Sequence, residues 1–158
     1  MPEPASRLLE LVETAVLESV SFLELAARRT PPVDQPSPPT IEMQFDFIPP
    51  GEEPSDNRRF QISMRVTYYA QEGEVVASPA AVYGVPSSRE GLLTPETIVE
   101  YANEVAIMTL LPYARSGLSD LSVRVLDTHV LMPVFLRGEL ELELSGSDVV
   151  SDDSPASE

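Results

Sequence analysis

The residues of this chain that could do acid–base chemistry are few. His129 is the one histidine, and Asp127 lies two residues before it, so an extended segment would place both side chains on one face. The sequence holds no serine nucleophile elbow, phosphate-binding loop or second histidine to accompany them. We therefore interpret His129 as a helix-terminus or loop residue and predict that the chain is not an enzyme.

Carboxylate and arginine clusters are the other groups that could form a site. The acidic clusters lack the Asp-x-Asp-x-Asp-Gly arrangement of a calcium loop, so we interpret them as a solvated strand face and a charged tail. They comprise Glu52-Glu53, Asp152-Asp153, and the set Glu139, Glu141 and Glu143. The pairs Arg28-Arg29 and Arg58-Arg59 predict local ion pairs rather than an anion site. We expect neither a metal nor a cofactor.

Composition narrows the possible partners. The chain has 158 residues, enough for one domain, and its 10 basic residues (all arginine) against 26 acidic ones give a net charge of −16. Without lysine or cysteine there is no Walker-type lysine, Schiff base, thiol nucleophile or disulfide. So acidic a chain is repelled by nucleic acid and by anionic bilayers, which predicts protein partners. With no signal peptide and no membrane-length apolar run visible, we expect a cytoplasmic location.

Strict alternation of apolar and polar residues predicts consecutive strands. Residues 41–47 and 59–70 alternate throughout, and a tight turn at residues 71–73 leads into a third strand over residues 74–83. Short links between successive strands indicate an antiparallel meander. Pro79 within the third strand predicts either an edge position or a bulge.

Helical signals lie on either side of this meander. Ser6 is expected to cap a short helix, followed by a strand over residues 16–25 in which Val20, Phe22 and Glu24 share a face. Thr94 followed by Pro95 predicts the start of a longer helix that ends near residue 126.

Prolines, glycine and composition mark the irregular parts. Pro112 should kink or break the longer helix, because proline has no backbone N–H to donate. The proline-rich residues 30–40 form an extended crossover, and residues 130–135 and 139–144 look extended, with a bend at Gly138. Residues 1–144 are predicted to form one domain, and residues 145–158 an acidic disordered tail.

Several short motifs resemble those of the SecB-type chaperones. The most specific is Pro112-Tyr113-Ala114-Arg115 within the helix, preceded by Leu110-Leu111 and followed by Leu118-Ser119-Asp120-Leu121 and Leu131-Met132-Pro133. Val20-Ser21-Phe22 is similar to the first-strand motif of the family, and the proline-containing crossover and the hairpin follow in the same order.

The resemblance implies an α+β subunit. It has a four-stranded antiparallel sheet (a meander plus a crossover) and a long kinked helix packed on it, in which Pro112, Tyr113 and Arg115 have a structural role. Subunits form a homotetramer, a dimer of dimers, that holds unfolded clients without ATP. We expect client binding beside the crossover, at Phe22, Leu25, Met43, Phe45 and Tyr68.

The resemblance also bears on the export motor SecA. In the export-dedicated members, carboxylates on the sheet dock SecA, but the matching positions here are Ser19, Leu23 and Ala81. Simple alternation predicts that the neighbouring Glu18 and Glu24 point to the other face.

Three functional hypotheses remain open. The chain is a holdase for export or for a dedicated client such as an antitoxin, and the missing carboxylates favour the dedicated client. The alternatives are a carrier of a small hydrophobic ligand such as a lipid, which uses the same apolar groove, and a structural assembly subunit.

Overall fold

The computed structural model describes residues 3–31, 34–35, 37–52, 55–135 and 139–140. A first helix, α1 (Pro4–Thr14), precedes four strands: β1 (Val16–Arg29), β2 (Thr40–Ile48), β3 (Asn57–Ala70) and β4 (Gly73–Pro86). A 3-10 helix (Ser87–Leu92) follows. The chain then continues through α2 (Pro95–Tyr101), a π-helical turn (Ala102–Ala106), α3 (Ile107–Leu121) and a second π-helical turn (Ser122–Leu126). These last four segments are contiguous, and we refer to residues 95–126 as the long helix.

The four strands form one antiparallel sheet in the order β1-β4-β3-β2. Strands β2, β3 and β4 are the predicted meander, and the crossover carries the chain from β1 at one edge to β2 at the other. The α+β class and the four-stranded antiparallel sheet with a long helix packed on it are thus confirmed.

Pro79 lies in β4, which is an interior strand, so the edge alternative is wrong. A bulge is present, but it lies on the partner strand β1 rather than on the strand that contains Pro79. Pro79 pairs with Phe22 of β1, and the register shifts between Phe22 and Glu24, so Leu23 is a bulge. A second register shift leaves Glu18 as the extra residue between Leu17 and Ser19. The irregular pairing therefore falls on β1, opposite a residue that has no N–H to donate.

One face of the sheet packs against the long helix and carries the core. Directly paired residues share a face, and on this one they include Tyr68 with Ile41, Val66 with Met43, and Ala77 with Leu25. We call it the helix face and its opposite the outer face. The largest fully buried side chains of the helix face, Phe60, Ile62, Met64, Val66 and Val75, cluster with Ile98, Ile107, Leu110 and Leu118 of the long helix. Leu11 of α1 belongs to the same cluster.

The long helix begins where the sequence predicted but is not broken at Pro112. The Thr94 hydroxyl accepts from the Thr97 backbone N–H at 3.3 Å, and Pro95 occupies the first turn. Pro112 lies within α3, which continues to Leu121. Pro112 is exposed, and two π-helical turns, Ala102–Ala106 and Ser122–Leu126, flank α3.

The predictions for the two ends of the chain concern the cap of α1, residues 130–135 and the residues from 138 onward. Helix α1 begins at Pro4 with Glu3 as its cap residue, so Ser6 lies inside the helix rather than capping it. Residues 130–135 have no regular secondary structure, although Val130 and Met132 are buried. Gly138, residues 141–144 and the tail at 145–158 lie outside the described residues.

Gly73 closes the β3–β4 turn in a conformation that requires glycine. Its φ of 155° is rarely adopted by residues with a side chain, and a Cβ there would lie 2.0 Å from the Arg28 backbone oxygen. The turn therefore lets β1 pass close to the hairpin end, where Thr30 donates its backbone N–H to the Glu72 carbonyl at 3.1 Å.

An aromatic cluster joins the sheet to the long helix. Phe60 stacks on Tyr83 with ring centroids 5.4 Å apart, and Tyr101 meets both rings edge-on at 5.6 and 5.0 Å. Burial raises the pKa of Tyr101, and the nearby Tyr83 raises it further. Burial likewise raises the pKa of Tyr83, and the hydroxyls of Thr109 and Tyr101 oppose part of that shift.

These tyrosines predict a loss of stability in alkali. The unfolded chain ionises its tyrosines near pH 10, whereas the folded chain keeps Tyr83 and Tyr101 neutral to higher pH. The unfolded state therefore loses protons first, and the free energy of unfolding should fall as the pH rises above about 10. Urea unfolding between about pH 8 and 11 measures this. Tyr101→Phe should flatten the fall, whereas Tyr113→Phe at an exposed position should not. A slope unchanged by Tyr101→Phe would contradict the assignment.

Candidate functional site

The five predicted client-binding residues all lie on the helix face, but their exposure differs. Phe22 and Leu25 on β1 are 39% and 44% exposed, and Phe45 on β2 is half-buried. Met43 and Tyr68 are each only 8% exposed, so they belong to the core rather than to a contact surface.

A bulge places Phe22 and Leu25 on the same face despite their odd spacing. The extra residue at Leu23 shifts the alternation, so that Phe22 pairs with Pro79 and Leu25 with Ala77. Glu24 pairs with Ser78 and lies on the outer face, which corrects the prediction that it shares a face with Phe22. Alternation alone could not show this, because a bulge changes the phase of a strand without an obvious sequence signal.

Gly117 of α3 lies directly against Phe22 and Leu25. A Cβ at Gly117 would lie 3.0 Å from Leu25 Cδ1, 3.2 Å from Ala77 Cβ and 3.3 Å from Phe22 Cε1. The absent side chain thus lets the long helix lie close to β1, with Phe22 and Leu25 partly exposed beside it. We call Phe22, Leu25 and Gly117 the β1 patch.

Met43, Phe45 and Tyr68 form a second group at the other side of the sheet. In the register of β2 and β3, Met43 faces Val66, Phe45 faces Met64, and Ile41 faces Tyr68. We call this group the β2 patch. Strands β1 and β2 are the two edges, so about three interstrand spacings, roughly 14 Å, separate the patches. The predicted residues therefore make two patches on one face rather than one groove.

A solvent-open cavity of about 370 Å³ lies beside the crossover. It is lined by Thr30, Ser37, Pro38, Thr40, Tyr69, Ala70 and Gln71. Sequence reasoning named the crossover but missed Tyr69, which is 40% exposed and belongs to the outer face. The adjacent aromatics Tyr68 and Tyr69, which interrupt the alternation at the end of β3, were the available signal.

The residues of the family motif differ in their contacts: Arg115 makes a hydrogen bond, whereas Pro112 and Tyr113 are exposed. Arg115 donates from Nη2 to the Pro133 carbonyl at 3.4 Å, and so links α3 to the segment that follows the long helix. Tyr113 is 42% exposed and Pro112 is also exposed, so neither supports the core of the subunit.

His129 contacts a serine rather than Asp127. Its Nε2 lies 2.6 Å from the Ser119 hydroxyl oxygen at the exposed end of α3. Asp127 has a left-handed backbone with φ of 56°, so residues 127–129 are not the extended segment that would align the two side chains. The buried Ser122 hydroxyl accepts the Val130 N–H at 3.0 Å, so a buried hydrogen bond ties the residues after His129 back to the end of the long helix. Among the described residues, no cluster of three potential metal ligands occurs.

The outer face carries Glu18 and Glu24, although simple alternation predicted that these residues point to the other face. The two bulges bring both Glu18 and Glu24 to this face, where they pair with Arg59 and Arg65 of β3. Ala81 pairs with Ile62 and Val20 on the helix face, so it is not an outer-face position. The premise that this face has lost its carboxylates is therefore wrong, since they are present and paired with arginine.

The described helices include none that is both long and apolar enough to cross a membrane.

Comparison with solved structures finds a similar chaperone. It is the Mycobacterium tuberculosis Rv1957 SecB-like chaperone in complex with a ChAD peptide from the Rv1956 HigA1 antitoxin, with a TM-score of 0.64 and 17% identity over 84% of this chain and 96% of that chain. This chain has a SecB-like fold. A protein of unknown function from Streptococcus agalactiae also matches, with a TM-score of 0.44 and 9% identity over 76% of this chain and 97% of that chain. No protein-family model and no curated protein matches the sequence.

Gly117→Ala tests whether the close approach of the long helix shapes the β1 patch. The new methyl group would meet Leu25, Ala77 and Phe22 at 3.0–3.3 Å, so the helix or the side chains must shift slightly. This shift should cancel the gain of about 1 kcal/mol that alanine otherwise has over glycine inside a helix. Thermal unfolding should therefore show no gain in stability for Gly117→Ala, whereas a substitution in open space should show one. Gly91→Ala is the control, because nothing lies within 4 Å of a Cβ there. Equal unfolding temperatures for the two variants would contradict the close packing.

Proposed function

We propose that this chain is an ATP-independent holdase, which binds unfolded or non-native polypeptides. The observation that carries the proposal is the pair of apolar patches on the helix face, at opposite edges of the sheet. The long helix packs over the sheet between the two patches, so a client meets them as two separate apolar contacts. A folded protein rarely exposes several apolar segments at once, whereas an unfolded one does.

The fold similarity supports the same function. The similar Mycobacterium tuberculosis protein is named a SecB-like chaperone, and its structure contains a peptide from an antitoxin. By analogy, we propose a dedicated client such as an antitoxin, rather than general export through SecA. The ion pairs of Glu18 and Glu24 with arginine fit this choice, because a docked motor would have to compete with those arginines.

The small-ligand carrier is the weaker alternative. A carrier buries most of its ligand in a concave, mostly apolar site. The cavity beside the crossover is open to solvent and is lined in part by threonine, serine and glutamine. These features suit the passage of a peptide better than the enclosure of a lipid.

The net charge of −16 gives the holdase a preference among clients. Basic client segments are attracted over long range, so affinity should fall with added salt while apolar contacts preserve part of it. The same charge keeps a loaded complex soluble, because complexes of like charge repel one another.

Substitutions in the two patches test the binding surface. Phe45→Asp should abolish suppression of the aggregation of a reduced, unfolded client in the absence of ATP, because it places a charge within the β2 patch. Leu25→Ser should lower client affinity about tenfold, since it removes most of one aliphatic contact. Leu23→Ser is the matched control, because Leu23 is a 57% exposed bulge residue of the same strand. Client protection that survives Phe45→Asp, or that needs ATP, would contradict the proposal.

We also propose that the working form is a homotetramer built as a dimer of dimers. Strand β1 is a 14-residue edge strand with exposed apolar residues, which suits pairing with a second copy. The long helix exposes Met108, Tyr113 and Val123, which suit a second contact between copies.

Light scattering at micromolar concentration tests this assembly. The unmodified chain should have the mass of a tetramer of 17.3 kDa subunits. Tyr113→Ala should give smaller species, because an aromatic side chain at an interface contributes strongly to binding. Ser116→Ala, at another exposed position of α3, should remain tetrameric. A monomeric mass for the unmodified chain would sink the proposal.

A further inference from the structure

Two ion pairs cross the outer face of the sheet. The Arg59 Nε lies 2.5 Å from the Glu18 carboxylate, and the Arg65 guanidinium pairs with the Glu24 carboxylate. Both glutamates belong to β1 and both arginines to β3, and these strands are separated by β4. Each pair therefore reaches over the central strand, and we call the two pairs the arginine straps.

The central strand is shaped to accommodate the straps. A Cβ at Gly84 would lie 2.5 Å from Glu18 Oε1, so the first strap occupies the space that a side chain would take. Glu24 pairs in register with Ser78, another small residue of β4. The two bulges of β1 are what place Glu18 and Glu24 on this face.

Strand β4 is also buried on the outer face. Val76, Ser78 and Ala80 point to the outer face, yet they are only 4%, 6% and 1% exposed. Long arginine and glutamate side chains cover such positions with their carbon stems while their charged ends remain in contact with water.

We propose that Arg59 and Arg65 are selectivity residues that close the part of the outer face between β1 and β3 to basic protein segments. The exposed carboxylates of Glu42 and Asp46 lie on β2, outside this part of the face. The net charge of −16 attracts such segments to the molecule as a whole, so their exclusion from this face must be local. Arg59 and Arg65 are part of the chain, so they reach Glu18 and Glu24 at an effective concentration that a separate segment cannot match. This selectivity concerns a face other than the one proposed for clients, so it holds whether or not the chain is a holdase.

Binding of an octalysine peptide measures the effect of the straps. At low salt, Arg59→Gln/Arg65→Gln should bind the peptide about fivefold to tenfold more tightly than the unmodified chain, because two carboxylates lose their resident partners. Adding Glu18→Gln/Glu24→Gln to that variant should remove the gain. The single variants Arg59→Gln and Arg65→Gln should each give part of it, which keeps the test valid if the double variant does not fold.

Arg89→Gln/Arg124→Gln is the matched control. It changes the net charge by the same amount and frees Glu10 and Asp120, which lie on α1 and α3 rather than on the sheet. It should give a much smaller gain, because the two freed carboxylates are not neighbours on one face. An equal gain in the control would overturn the proposal in favour of a net-charge effect. Tight binding by the unmodified chain, or a gain that survives Glu18→Gln/Glu24→Gln, would overturn it as well.

Discussion

The small side chains of strand β4 are the constraint on which the rest of this structure depends. On the helix face, Ala77 lies opposite Gly117, and the two together allow the long helix to pack directly on the sheet. On the outer face, Gly84 and Ser78 leave room for side chains that cross from β1 to β3. A larger residue at either face would separate layers that now touch, since close-packed interiors do not absorb added volume freely.

The sequence predicted the positions of the strands better than it predicted which face of the sheet each residue points to. Strand β2 alternates throughout and β3 alternates as far as Tyr68, so the residues that share a face on each strand follow from periodicity. Strand β1 does not, because each of its two bulges reverses which residues point to the helix. The same limitation explains both errors on this strand, the face assigned to Glu24 relative to Phe22 and the supposed loss of carboxylates from the outer face.

The sequence suggested candidate residues for the site but could not show how they are arranged. Their position on the helix face and their division into two patches depend on the strand order β1-β4-β3-β2. The burial of Met43 and Tyr68 depends on tertiary packing. The alternation of apolar and polar residues along a strand does not reveal it. Of the two outcomes predicted at Pro112, the break does not occur, because α3 continues to Leu121.

Strand β1 gives the two faces of the sheet different surfaces, with apolar residues on the helix face and paired carboxylates on the outer face. The proposed holdase function requires accessible apolar side chains, as Phe22 and Leu25 are, and a net charge that keeps the exposed surface from aggregating. The same charge attracts basic proteins without discrimination. The arginine straps act against this attraction locally, because they pair Glu18 and Glu24 on the outer face at a small cost to the overall negative charge. A strongly acidic chain gains selectivity at one face when carboxylates of the other face already have arginine partners.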